Sequence, residues 1–261
     1  MAIDLSTIKR GGSDRAPITV VHGPPGMGKT TFAAQAPDPV FIRTEDGLGK
    51  LSVATFPEMG GVQDVMDALA ALYEEGHGYR SVVIDSLSAL EPLIWKQVAH
   101  DHGVNSIEDM GFGKGYVYAM DYWRDLVAAC KGLAQRGIAP ILIAHSEIVK
   151  FDAPDTDAYD RYQIKLHKRA FQHLYEQADI IGFAHEPVYV RKANEKDDKG
   201  KAKPKGERQL RLVEAPAVIA KNRYNMPPKL RVPKGEGWKK LSGYLPGGRT
   251  EAKTQKVKEA T

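Results

Sequence analysis

One octapeptide constrains this chain more than any other feature. Gly23-Pro24-Pro25-Gly26-Met27-Gly28-Lys29-Thr30 satisfies the pattern G-x-x-x-x-G-K-[ST] at every position. Its flanks agree with it. Ile18 to His22 is a short β-branched run that reads as a strand, and Lys29 to Gln35 reads as a helix stopped before Pro37. A strand, a glycine loop and a helix in that order form a phosphate-binding loop. The glycines let backbone N–H groups wrap phosphate oxygens, and the positive end of the helix dipole adds to the attraction. Lys29 is expected to reach the β- and γ-phosphates of ATP and the Thr30 hydroxyl to ligate Mg2+, with Thr31 continuing the phosphate-facing segment. The competing reading, a glycine turn that precedes a helix by chance, has to explain eight matched positions and both flanks.

Three further residues extend the site. Val82-Val83-Ile84-Asp85 is an apolar strand that carries a carboxylate to the edge of a sheet. Beside a phosphate loop, Asp85 would hold Mg2+ through water. Hydrolysis also needs a water placed in line with the γ-phosphate. Glu45, just after the strand Val40 to Arg43, is the candidate base, with Asp46 its immediate rival. Glu45-Asp46-Gly47 also reads as an ordinary solvated turn. His145 ends the apolar run Ile141 to Ala144. A polar group there can touch the γ-phosphate and report its loss to the following loop; the alternative is a strand-end histidine satisfied by its surroundings.

Periodicity supplies the frame. Val62, Val65, Met66, Leu69, Leu72 and Tyr73 recur at helical spacing, as do Tyr116, Met120, Trp123, Val127, Cys130 and Ala134. Leu87 to His100 and Ile164 to Gln177 also read as helices, and Arg80 to Ile84, Ala139 to Ala144 and Asp179 to Phe183 as strands. Strands alternating with helices predict an α/β fold with a mostly parallel sheet and helices on both faces. Beyond Glu186 the pattern changes. Val188 to Arg191 and Gln209 to Val213 read as the strands of a C-terminal antiparallel hairpin, with Ala217 to Ala220 a further strand. The organisation predicted is one core over 1–246, with a hairpin and interface extension at 188–232 and a disordered basic tail at 247–261.

Composition excludes several classes. No apolar run reaches the roughly 18 residues of a membrane span, and MAIDLSTIKRGG lacks an apolar signal core. The single cysteine, Cys130, excludes a disulfide scaffold, so a cytoplasmic setting is expected. The net charge of +4 is unevenly spread: residues 1–188 carry 17 Lys+Arg against 25 Asp+Glu, and residues 189–261 carry 20 against 8. Such asymmetry points to an anionic partner or to a solvated basic tail.

With these motifs in hand, the chain resembles the RecA-type recombinase ATPases over roughly residues 15 to 232. The resemblance rests on the phosphate loop, on Phe41-Ile42-Arg43-Thr44-Glu45, on Val83 to Leu90, on Ile141-Leu142-Ile143-Ala144-His145 and on Lys221-Asn222-Arg223-Tyr224-Asn225-Met226-Pro227. It is most similar to the RecA-like single-strand annealing proteins of bacteriophages, which would place it in the cytoplasm of a bacterial host. The resemblance implies a RecA-like core, Glu45 as the residue that activates water, and His145 as the γ-phosphate sensor, where the family more often has glutamine. It implies that Lys221 and Arg223 reach a neighbouring subunit's ATP, acting like an arginine finger. It also implies homo-oligomers, single-stranded DNA as ligand and a single-stranded-DNA-binding protein as partner.

Two DNA-facing loops fall by order at about Gly103 to Tyr116 and Ser146 to Gln163. The first offers Phe112, Lys114 and Tyr116 for stacking and backbone tracking, or is a plain connection between helices. The second offers Lys150, Phe151, Tyr159, Arg161 and Tyr162, among acids that phosphate binding does not want. The cation-rich segment Arg191 to Arg211 is a further DNA candidate, or a solvated hairpin tip. Other readings of the whole chain are a regulatory NTPase that switches a protein partner and a helicase-like ring motor.

Overall fold

The computed structural model describes residues 4, 15–74, 76–191, 201–204, 206–233 and 235–246. The predicted tail at 247–261 and the whole of the segment 192–200 lie outside these. The described residues open with β1 (Thr19–Gly23), α1 (Lys29–Ala33), β2 (Pro39–Arg43), β3 (Ala54–Thr55), α2 (Val62–Glu74) and β4 (Ser81–Asp85). It continues through α3 (Leu87–Asp101), α4 (Lys114–Gln135), β5 (Ala139–Phe151), β6 (Tyr159–Ile164), α5 (Lys168–Gln177) and β7 (Ile180–His185). The last part holds β8 (Val188–Arg191), β9 (Lys201–Pro204), β10 (Gln209–Arg211), β11 (Lys221–Asn222), β12 (Lys229–Arg231) and α6 (Gly237–Ser242).

The main sheet runs β12-β10-β7-β1-β5-β4-β2-β3. From β7 through β3 every neighbouring pair is parallel, and β10 joins β7 and β12 antiparallel. Alternation along the buried strands divides the core in two, because successive side chains face opposite sides of a sheet. Val20, Ile42, Val82, Ile84 and Leu142 pack with α2, α3, α4 and α5 through Leu69, Leu90, Ile94, Trp123 and Leu174. Val21, Phe41, Val83 and Ile143 pack on the other side with Phe32 of α1 and with Trp238 and Leu241 of α6. The expected α/β class, with helices on both faces of a mostly parallel sheet, is the one observed. Cys130 lies on the buried stripe of α4, and burial pushes its thiol up to about 12, which leaves it an inert core residue. Among the described residues no helix is long and apolar enough to cross a membrane.

Five local expectations are corrected. The helix after the phosphate loop stops at Ala33 rather than Gln35 and has five residues. So short a helix has little macrodipole, and the loop amides and Lys29 must supply the grip. Ser146 to Gln163 is a β-hairpin rather than a loop. Strand β5 runs on past Ala144 to Phe151 and returns as β6, pairing Ser146 with Ile164 and Phe151 with Tyr159. Ile148, Val149, Phe151, Tyr159, Tyr162 and Ile164 explain this, since β-branched and aromatic residues favour a pleated surface. The helix predicted from Ile164 accordingly starts at Lys168. Strand β8 pairs with β9 and not with Gln209 to Val213; β10 instead enters the main sheet between β7 and β12. Ala217 to Ala220 contributes only isolated bridges through Val218, the strand there being Lys221–Asn222. Helix α6, unanticipated, packs Trp238 edge-on against Phe32 with ring centroids 5.6 Å apart.

Candidate active site

Because β1, β5, β4 and β2 are parallel neighbours, their C-terminal ends emerge at one edge. Gly23 is in register with His145, and Arg43 with Asp85. Strand β5 lies between β1 and β4, which sets His145 between the phosphate loop and Asp85. Residues far apart in the chain therefore converge around one cavity of about 640 Å³, lined by Lys29, Thr30, Glu45, Asp85 and His145.

The loop has the conformation its glycines permit. Gly26 and Gly28 have φ of +77° and +78°, in the left-handed region that side chains disfavour. Lys29, 7% exposed, donates from Nζ to the carbonyl oxygens of Gly23 and Pro24 at 2.9 and 3.0 Å. Burial pulls its pKa down, opposed by the charges of Asp85 and Glu45. The Thr30 hydroxyl donates to Asp85 Oδ2 at 2.8 Å. Burial pushes the Asp85 carboxyl up, partly offset by that hydrogen bond. A hydroxyl and a carboxylate held side by side are hard oxygen donors that fit Mg2+, which takes one or two protein oxygens and completes its shell with phosphate and water.

Glu45 and His145 meet directly, with His145 Nε2 at 3.1 Å from each carboxylate oxygen of Glu45. Asp46 also reaches the cavity wall, but its side chain is 98% exposed, with Arg43 at 3.9 Å. Thr44, which sequence reasoning passed over, anchors the segment. Its N–H donates to the Asp85 carbonyl at 2.9 Å, and its hydroxyl donates to Ser86 O at 2.7 Å while accepting from Ser86 N at 2.8 Å. On the other side, the His145 N–H donates to Ser88 Oγ at 3.0 Å. Behind the loop, buried His22 bridges Ser146 Oγ and Ile219 O, and burial lowers its pKa to about 4.

The remaining candidates lie elsewhere. Lys221 and Asn222 pair with Ile181 and Ile180, at the start of β7 and thus at the opposite edge from the chain's own phosphate loop. Lys221 Nζ donates to Tyr175 O and Glu176 O at 2.6 and 3.1 Å. Arg223 pairs with Asp179 at 3.0 Å. Phe112 is fully exposed with φ +49°, and Lys114 begins α4. Tyr116 is stacked on His167 at 4.2 Å and its hydroxyl donates to Glu108, so its ring is already occupied. Arg161 is buried and ion-paired with Glu214, and Tyr162 packs against Phe183 at 5.1 Å. Phe151 and Tyr159 pack together at the hairpin's end, and Lys150 stands opposite Asp160.

Two solved structures give the scale of structural likeness. The RadB recombinase is 12% identical, with 85% of this chain and 90% of that chain covered and a TM-score of 0.46. Flagellar accessory protein FlaH from Methanocaldococcus jannaschii is 12% identical, with 85% and 87% covered and a TM-score of 0.45. No curated protein matches the sequence. A family model does: residues 15–224 match the AAA domain family. That stretch begins ahead of β1 and includes the phosphate loop, Glu45, Asp85 and His145. The chain is an ATP-binding P-loop ATPase and belongs to the AAA domain family (AAA_24).

Proposed function

We propose that this chain is a DNA-stimulated ATPase of recombination or single-strand annealing, of the bacteriophage type, that works as a homo-oligomer with ATP at subunit interfaces. The observation that carries this reading is the continuity of β5. One strand bears His145 at the nucleotide edge and runs on to the exposed Ile148 and Phe151 of the hairpin. A change at the γ-phosphate can thus be passed along a single strand to a surface able to meet a partner.

In the proposed reaction Lys29 leaves the Gly23 and Pro24 carbonyls for β- and γ-phosphate oxygens. Glu45 takes a proton from the water that attacks the γ-phosphorus, and the bond to the ADP oxygen breaks. His145 holds the Glu45 carboxylate and feels the loss of the γ-phosphate. Thr30 and Asp85 would hold Mg2+, which when bound neutralises developing charge on the phosphates. Lys221 and Arg223, pointing away from their own site, are suited to a neighbour's phosphates once freed from α5 and Asp179.

A second reading, a regulatory NTPase with a protein partner, is favoured by one observation. The hairpin tip carries Asp152, Asp155, Asp157 and Asp160, and Arg161 is already ion-paired. The deciding experiment is ATP turnover with and without saturating single-stranded DNA at low salt. Stimulation supports the DNA reading; unchanged turnover overturns it and leaves the protein-partner reading.

A further inference from the structure

The nucleotide edge contains a cation that no motif announces. Arg208 immediately precedes β10, and β10 starts opposite His185 at the end of β7, next to β1. That register carries Arg208 over the phosphate loop. Its backbone is braced from two sides: the Val232 N–H donates to Arg208 O at 2.9 Å, and the nearby Gly206 N–H donates to Glu186 Oε1 at 2.9 Å. The guanidinium ends beside Gly28, where a Cβ on that glycine would lie 2.5 Å from Nη1. It occupies the space a side chain at Gly28 would fill, at the wall of the nucleotide cavity.

Two other cations nearby are engaged. Lys29 is bonded to loop carbonyls, and Arg231 is paired with Glu207 at 3.2 Å. Among the described residues the Arg208 side chain has no hydrogen-bond or ion-pair partner. Charge sharpens the point. The cavity wall carries Glu45, Asp46 and Asp85 against Lys29, Lys50 and Arg208. Without Arg208 the wall is net negative, which suits a polyphosphate poorly.

We propose that Arg208 is a phosphate-binding residue supplied by the same chain, gripping the polyphosphate beside Gly28 from the side opposite Asp85. Its planar fork of donors matches phosphate oxygens, and the ligand would give it a partner. The assignment rests on the nucleotide-binding reading of the loop. It adds an arginine in cis to the trans cations proposed above. A second cleft, of about 550 Å³, begins on its far side between Met27, Gln35 and Pro233, so the alternative role for Arg208 is contact with the nucleoside.

Calorimetric titration of the full chain with ATP and with inorganic tripolyphosphate separates these roles. Arg208→Ala should weaken both about tenfold or more, the loss of a charge-assisted hydrogen bond. Arg208→Lys should restore part of the affinity. Because the side chain is exposed, circular dichroism of both variants should match the parent. Weakened ATP with unchanged tripolyphosphate overturns the phosphate role in favour of nucleoside contact. Unchanged affinity for both overturns any ligand role for Arg208. If the unsubstituted chain binds neither ligand, the nucleotide reading itself fails, and the proposal fails with it.

Discussion

His145 Nε2 lies 3.1 Å from both carboxylate oxygens of Glu45, across a sequence separation of 100 residues. Strand order is the cause. Glu45 follows β2 and His145 lies on β5, with β4 and its Asp85 between the two strands. The proposed base and its proposed positioning group thus face each other at the cavity. Replacing Glu45 with Gln keeps the shape and removes the proposed proton acceptor. The expected result is a fall in kcat of about a hundredfold to ten-thousandfold, with ATP affinity nearly unchanged. Phosphate-release kinetics and an equilibrium binding titration check the two halves. His145→Ala should lower kcat less, because the carboxylate survives and only its hold is lost.

Lys221 and Arg223 face away from their own chain's loop, so their proposed catalytic role requires a second subunit. Mixing a Lys221→Ala/Arg223→Ala chain with a Lys29→Ala chain should regain part of the turnover that each lacks alone. Absence of rescue at every mixing ratio would show that each chain works by itself. Arg223→Ala alone should cost folding stability only about 1 kcal/mol, because Asp179 keeps Arg15 at 2.8 Å and the Ile18 N–H at 2.9 Å.

Glu91 is buried in α3 and accepts the His167 N–H at 2.9 and 3.0 Å through its two oxygens. Burial pushes its carboxyl up to about 7, offset by that hydrogen bond and reinforced by the charge of Glu147. In the unfolded chain the value is 4.5. Between these values the folded state binds more protons than the unfolded one, so Glu91 makes stability fall as pH rises from 4.5 to about 7. Glu91→Gln keeps an acceptor for the His167 N–H and loses the charge. It should be more stable than the parent above pH 7, by about 2 kcal/mol, and should match it near pH 4. Urea midpoints across this range test the sign. Buried His22 works in the opposite direction below pH 6.5, where the unfolded chain binds the extra proton. The comparison of variant with parent cancels that contribution.

Trp238, 4% exposed, fastens α6 to Phe32 of the helix that follows the phosphate loop. Trp238→Ala should destabilise the fold by about 3–5 kcal/mol. ATP affinity should weaken with it, since α1 loses its outer support. Thermal unfolding with and without ATP measures both. Leaving Tm unchanged would show that α6 contributes nothing to the core.

Elements whose signal is local were legible in the sequence. The phosphate loop is one contiguous pattern, Asp85 ends an apolar run, and the stripe on α4 recurs with helical period. Each can be read from neighbours a few positions away. The β5–β6 hairpin was missed because its acidic residues resemble a loop, whereas Ile148, Val149, Phe151 and Tyr162 show the strand only once the partner strand is known. The pairing of β8 with β9 was missed because β10 is claimed by β7, a competition that no local pattern records.

The sequence by itself determined the chemistry available to this protein: a loop that must bind phosphate, a carboxylate beside it, and acids and a histidine at strand ends. It also determined the α/β class, because alternating apolar strands and amphipathic helices can bury their faces in few ways. Only the tertiary structure decided which of those groups meet. Strand order brought Glu45 to His145 and sent Lys221 and Arg223 to the far edge. It left Asp46 in solvent and delivered Arg208 to Gly28. The physical reason is that parallel neighbours align their ends by register across the sheet, and register depends on which strands pair rather than on how far apart their residues stand in the chain.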